Sequence, residues 1–179
     1  ARVLGALAGA AVFRLGGVLV GTHAFIALGN LLFIAARLLL ICTVFTIVIV
    51  LFGAAESPLI VLAIPAAVLT GMAFAAPIAA FSATQKTPIK FNALFRFVIT
   101  PLFLFSGTFF PVASLPQALQ VLAWFTPLYH GVNLTRGLSL GTITADPVAA
   151  VVDVLFLTAF VIAGTWFAIR TIGARLVRG

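Results

Sequence analysis

LLFIAARLLLICTVFTIVIVLF, residues Leu31–Phe52, is the stretch whose reading decides the fold. A helix rising about 1.5 Å per residue needs about 20 mostly apolar residues to cross a hydrocarbon layer about 30 Å thick. This run meets that length with one charge, Arg37, about one and a half turns from its start. From there an arginine stem can lie along the apolar face while its head reaches an interface; contact with a passing substrate is the other role open to it. Inside lipid the backbone must satisfy its own hydrogen bonds, which leaves a helix as the form for such a run.

The rest of the chain agrees with a membrane reading. Of 179 residues, 64% are hydrophobic and 7% are charged, against roughly 45–50% and about 25% in soluble domains. That length allows about five or six passes at most. The net charge of +7 does not point to nucleic acid, because the ten Lys and Arg are spread along the chain and lack the polar surface of a basic binding face. The single cysteine, Cys42, lies within an apolar run, so the sequence offers no intrachain disulfide and no thiolate metal cluster. The chain opens Ala-Arg-Val without Met, and a truncated or processed start is expected in place of a signal peptide.

Upstream of Leu31, Val3–Val20 is a poor spanning candidate, because Arg14 near its middle costs about 2.5–3.5 kcal/mol on insertion scales. Gly21–Asn30 (GTHAFIALGN) is bounded by Gly and Asn, which suits a short helix between two longer ones. Downstream, Ser57-Pro58 reads as a cap followed by proline in a first helical turn. The helix this starts runs to about Phe81, kinked by Pro65 and Pro77 and packed closely through Ala66, Ala67, Gly71, Ala75 and Ala76. Ser82–Phe95 is the most polar internal stretch. A spanning helix over residues 94–110 is broken near Gly107 and ends at Pro111. Leu115–Phe125 and Leu128–Leu140, separated by Thr126-Pro127, are too short to cross and fit a helical hairpin dipping in from one side. Asp146-Pro147 repeats the cap-plus-proline start, residues 147–169 span, and Arg170, Arg175 and Arg178 follow as a basic tail over residues 170–179.

Positive charge orients these segments. Lys86, Lys90 and Arg96 share a side with Arg170, Arg175 and Arg178, while the other side offers only Arg136. The positive-inside rule therefore predicts a multi-pass plasma-membrane protein with a cytoplasmic C-terminus, residues 21–30 inside and residues 111–146 outside.

Few residues offer chemistry. His130, Asp146 and Asp153 fall on one predicted side, as an acid–base site would need. Alternatively, His130 satisfies backbone groups of the hairpin, Asp146 caps a helix, and Asp153 pairs with Arg136 or a polar neighbour. Asn133-Leu134-Thr135 matches a glycosylation sequon, a triplet that also arises by chance. No GxxxxGK[ST] motif occurs in the sequence, so ATP hydrolysis would fall to a separate polypeptide.

PLFLFSGTFFP (Pro101–Pro111) followed by SLPQALQVLAWFTPLYHGVNLTRGLSLG (Ser114–Gly141) closely resembles the ABC-2 permease family, nearest its nodulation-factor and daunorubicin-resistance type exporters. The resemblance covers roughly Leu31 to Gly179. It implies an all-α integral membrane protein, a type V exporter-like helical bundle with about four to five spanning helices in this N-terminally truncated chain and an external re-entrant hairpin. It further implies pairing with a second permease copy or homologue, surrounding membrane lipid, and a cytoplasmic ABC ATPase that drives export of a hydrophobic, amphipathic or glycoconjugate substrate. No cofactor, metal or catalytic residue is expected. On this resemblance Thr22, His23 and Phe25 lie on the coupling helix that docks on the ATPase. Pro111, Leu115, Pro116, Pro127, His130, Arg136 and Asp153 belong to the external hairpin and gate. Phe103, Phe105, Ser106, Phe109 and Phe110 line a translocation path, or pack against lipid or a neighbouring helix. GTHAFIALGN departs from the family in lacking acidic residues around the coupling helix. An integral membrane enzyme built on His130 and the aspartates, or an inactive permease fragment, are the alternatives.

Overall fold

The computed structural model describes residues 2–85, 89–109 and 111–178, with side chains placed at residues 25, 27–85, 91–109 and 111–171. Every regular element among them is helical: α1 (Arg2–Leu51), α2 (Ile60–Thr84), α3 (Ile89–Leu94), α4 (Thr100–Phe105), α5 (Gln117–Trp124), α6 (Pro127–Leu140) and α7 (Pro147–Arg178). A π-helical stretch, Phe95–Ile99, fuses α3 to α4.

α1 differs from expectation. Residues 3–20, 21–30 and 31–52 are drawn as one 50-residue helix in place of three segments. The first proline of the chain is Pro58, and without proline the glycines and Asn30 cost only about 1 kcal/mol each or less in a helix interior. Its apolar portion is Ala27–Leu51, and at 1.5 Å per residue the whole helix exceeds twice the hydrocarbon thickness.

Three helices among the described residues are long and apolar enough to span, Ala27–Leu51, Ile60–Thr84 and Pro147–Thr171, each of 25 residues. The expected four to five counted, beside these, residues 94–110 and the weak segment 3–20. The expected span over residues 94–110 is a shorter apolar helix, Phe91–Phe105. It ends where Ser106-Gly107 turns the chain, with Gly107 at φ +87°. Pro101 explains its π stretch: without an N–H at Pro101 the ladder slips, and the Thr100 backbone N–H and hydroxyl both donate to the Phe95 carbonyl, the hydroxyl at 2.9 Å.

α2 is the hub. Ala63, Ala66 and Ala73 are packed with Leu134 and Leu138 of α6 and Leu157 of α7, and Ala76 and Ala80 continue the buried face. Small residues bring backbones together where lipid supplies no hydrophobic drive between helices. A Cβ on Gly164 would lie 2.6 Å from Pro77 Cδ and 2.9 Å from its backbone nitrogen. Large apolar side chains instead point outward, with Leu51 79% and Phe33 69% exposed. In lipid that is the favoured arrangement.

Two of the proline-marked starts, Pro127 and Pro147, are the first residues of α6 and α7, while Ser57-Pro58 forms the turn before α2, which begins at Ile60. Thr126 Oγ1 accepts from the Tyr129 N–H ahead of α6, and Asp146 Oδ1 accepts from the Ala149 N–H at the start of α7. α6 closes on Gly141 at φ +76°. Its Ser139 carbonyl accepts from the backbone N–H groups of Glu56 and Ser57, at 3.1 and 3.2 Å, which pins its C-terminal end beside the α1–α2 turn. The other end of α6 lies deep: Thr126 and Pro127 share a cavity wall with Phe74, Pro77 and Phe160. Over the length of α6 the two ends stand about 20 Å apart, so α5 and α6 form a helical hairpin whose Thr126-Pro127 corner lies between α2 and α7.

Candidate functional site

A buried polar cluster joins this hairpin to α7. His130 is 8% and Asp153 4% exposed, and His130 Nδ1 lies 2.6 Å from Asp153 Oδ1. His130 Nε2 lies 2.9 Å from the Trp124 carbonyl oxygen. A carbonyl only accepts, so Nε2 carries a proton, and one further proton lies between Nδ1 and the carboxylate. The Asn133 amide donates to Asp153 Oδ2 at 2.8 Å. Whichever side of the short bond holds its proton, the His130–Asp153 pair is neutral overall, which is how ionisable groups are carried in an apolar interior. The imidazole stacks on Phe156, centroids 4.1 Å apart, and meets the Tyr129 ring edge-to-face at 5.3 Å.

Of the two partners the sequence left open for Asp153, the structure selects polar neighbours, His130 and Asn133, and Arg136 is not one of them. Arg136 instead donates from Nη2 to the Gly107 carbonyl at 3.1 Å, fixing the turn after α4. In that turn Ser106 is 1% exposed, and its hydroxyl donates to the Phe103 carbonyl while lying 2.7 Å from Thr108 Oγ1. Of the three residues of the acid–base grouping, His130 and Asp153 come together and Asp146 does not. Asp146 is spent as the α7 cap, and both ring nitrogens of His130 are committed within the protein.

The remaining expected residues are dispersed. Pro127 is buried as the first residue of α6, while Pro111 and Pro116 are exposed at the hairpin entrance. Leu115 is half-buried, its carbonyl accepting from Gln120 Nε2 at 2.7 Å. Phe103 and Phe109 face outward, 44% and 64% exposed, and meet edge-to-face at 5.2 Å. Phe105 is half-buried, and Phe110 lies outside the described residues. Thr22 and His23 fall within the helical backbone of α1, with side chains outside the described set, and Phe25 is 78% exposed. Sequence reasoning missed Asn133 and Phe156. Their spacing carried a usable signal, since His130 and Asn133, like Asp153 and Phe156, stand three apart on one helical face.

α1, α2 and α6 also enclose a cleft of about 570 Å³ whose wall includes Cys42, Phe45, Ile49, Ala67 and Arg136.

Residues 20–140 match the ABC-2 type transporter family. The chain is 36% identical over 116 residues to Nodulation protein J of Sinorhizobium fredii (strain NBRC 101917 / NGR234), covering 62% of this chain and 42% of that protein. With Nodulation protein J of Rhizobium leguminosarum bv. viciae it shares 33% identity over 120 residues, 67% of this chain and 46% of the relative. The chain therefore spans less than half the length of these curated relatives. No solved structure matches it. From the family match across residues 20–140, which takes in most of α1, all of α2 and the whole helical hairpin, the chain belongs to the ABC-2 type transporters, a family of multi-pass membrane proteins.

Proposed function

We propose that this chain is the permease part of an ATP-driven ABC exporter. It would pair with a second permease copy or homologue, work over a separate cytoplasmic ATPase, and move a hydrophobic, amphipathic or glycoconjugate substrate outward. The observation that carries the reading is the family match over residues 20–140, supported by the likeness to Nodulation protein J.

On this reading ATP binding draws two ATPase subunits together, and the stretch of α1 around Thr22, His23 and Phe25, just ahead of its apolar portion, receives the movement. A single unbroken helix from Arg2 to Leu51 suits that task, because a push at one end is delivered at the other without a joint to absorb it. The hairpin, held to α7 by His130 and Asp153 and to the α4 turn by Arg136, is the outer gate, and Phe103, Phe105, Ser106, Phe109 and Phe110 flank the path. No residue of the chain performs covalent chemistry.

The test is co-purification of the chain from membranes in mild detergent. A nucleotide-binding subunit that comes with it, in an assembly that hydrolyses ATP, is the expected result. A chain that purifies without one from cells expressing the neighbouring reading frames overturns the proposal.

A further inference from the structure

We propose that the cleft between α1, α2 and α6 binds an anionic amphiphile of one bilayer leaflet, its acyl chain along the apolar wall and its phosphate headgroup on Arg136. Depth, charge and contrast with the other grooves all bear on this.

The mouth of the cleft lies at the end of the helices where the Ser139 carbonyl meets the α1–α2 turn. Arg136 stands one turn of α6 below that point, at the rim with Thr108 and Ser139. The floor reaches Ile41 and Cys42 on α1, about 15 Å below Leu51 at 1.5 Å per residue. That is about half of a 30 Å hydrocarbon layer, the depth of one leaflet. The wall between is mostly apolar, with Phe45, Ile49, Ile60 and Ala63 and the single hydroxyl of Thr46.

Charge then selects the headgroup. Arg136 gives one N–H to the Gly107 carbonyl, and the guanidinium has five to give. Among the described residues no carboxylate lies within ion-pair distance of it, the one pair found being His130–Asp153. The hydroxyls of Thr135 and Ser139 donate back into their own helix, and Arg136 is the one charged group in the lining, so it is the group that discriminates by charge. Its planar fork matches phosphate oxygens. Two other grooves, of about 440 and 360 Å³ beside Pro77 and Phe160, have no charged residue in their walls and could hold a chain but no headgroup.

The site does not depend on the export reading, because binding is asked of the chain alone. The experiment is native mass spectrometry of the full chain released from detergent after incubation with phosphatidylglycerol or phosphatidylcholine of identical acyl chains. The wild-type chain should retain phosphatidylglycerol about fivefold better, the worth of one well-placed cation. Arg136→Gln keeps an amide donor but carries no charge, so the preference vanishes, with a melting curve confirming that this variant is folded. Ala67→Phe fills the wall and lowers retention of both lipids, with melting curves confirming that the variant is folded. A preference that persists in Arg136→Gln overturns the proposal. So does displacement of the lipid by inorganic phosphate irrespective of acyl length, or a Cys42–Cys42 cross-link between copies, which would put a second chain in the cleft.

Discussion

Across the α6–α7 interface, His130 Nδ1 sits 2.6 Å from Asp153 Oδ1 while the opposite ring nitrogen holds the carbonyl of Trp124 at the end of α5. One imidazole thus joins three helices. Hydrogen bonds between membrane helices contribute about 0.6 kcal/mol on average and up to about 1.7, so the cluster adds little net stability. Its larger effect is on alternatives, because any displacement of the hairpin that parts the pair leaves polar groups unmatched beside Phe156.

That distinction predicts unequal effects at one position. Asp153→Ala strands the buried His130 ring nitrogen and takes the partner of the exposed Asn133 amide, a loss of about 1–3 kcal/mol for the unsatisfied buried group. Asp153→Asn can rebuild the set: the new amide donates to an unprotonated Nδ1 and its oxygen accepts from Asn133. Thermal unfolding in detergent should rank wild type at or slightly above Asp153→Asn, with Asp153→Ala clearly below both. Equal melting of the two variants would show that the carboxylate is not holding the hairpin.

Gly131 faces α2 so closely that an added Cβ would lie 2.2 Å from Thr70 Cγ2 and 2.8 Å from Thr70 Cβ. Gly131→Ala should therefore push α6 off α2 and cost about 1–3 kcal/mol, the usual range for overpacking. Adding Thr70→Ala removes the two nearest atoms but leaves the Cβ contact, so it should recover part of the loss. A Gly131→Ala chain that melts with the wild type would mean that α6 does not sit this close to α2.

Proline made much of this architecture legible. Thr126-Pro127 and Asp146-Pro147 mark the starts of α6 and α7, and Ser57-Pro58 stands two residues ahead of α2, because a fixed φ and a missing N–H are tolerated at a helix start and disruptive later. Glycine and asparagine are softer signals, and α1 runs straight through Gly21, Gly29 and Asn30. The His130–Asp153 bond was harder to read. Its partners stand 23 residues apart on separate helices, and which residues meet depends on how α6 seats between α2 and α7, set by the close approach of Gly131 to Thr70 and the burial of Leu157 and not by local pattern. Asn133 was hidden for another reason: a sequon reading competes with its place one turn from His130.

If α1 receives the stroke of an ATPase, Phe25 is the side chain to alter. At 78% exposure it has little to lose on folding, and a surface substitution of this kind shifts stability by about 0.5 kcal/mol or less. Phe25→Asp should leave the melting temperature unchanged and abolish co-purification of the nucleotide-binding subunit, while Phe109→Asp, also exposed but at the opposite end, should leave co-purification intact. Retention of the ATPase by Phe25→Asp would move the docking surface elsewhere.

The charge asymmetry orients the whole bundle, and the structure supplies positions at which to test it. At one end, Arg170 lies over the Trp166 ring at 4.1 Å, the pairing of cation and aromatic expected of an interfacial anchor. Gln85 follows α2 near the same end, whereas Ser114 and Thr144 are exposed in the short turns at the other. Cys42 is the chain's one cysteine, so Cys42→Ser gives a background in which a single new thiol reports its own side. In intact cells a membrane-impermeant maleimide should label Ser114→Cys and Thr144→Cys and spare Gln85→Cys until the membrane is permeabilised. The reverse pattern would place Arg170 outside, against the positive-inside rule, and would put the stretch of α1 around Phe25 beyond the reach of any cytoplasmic ATPase.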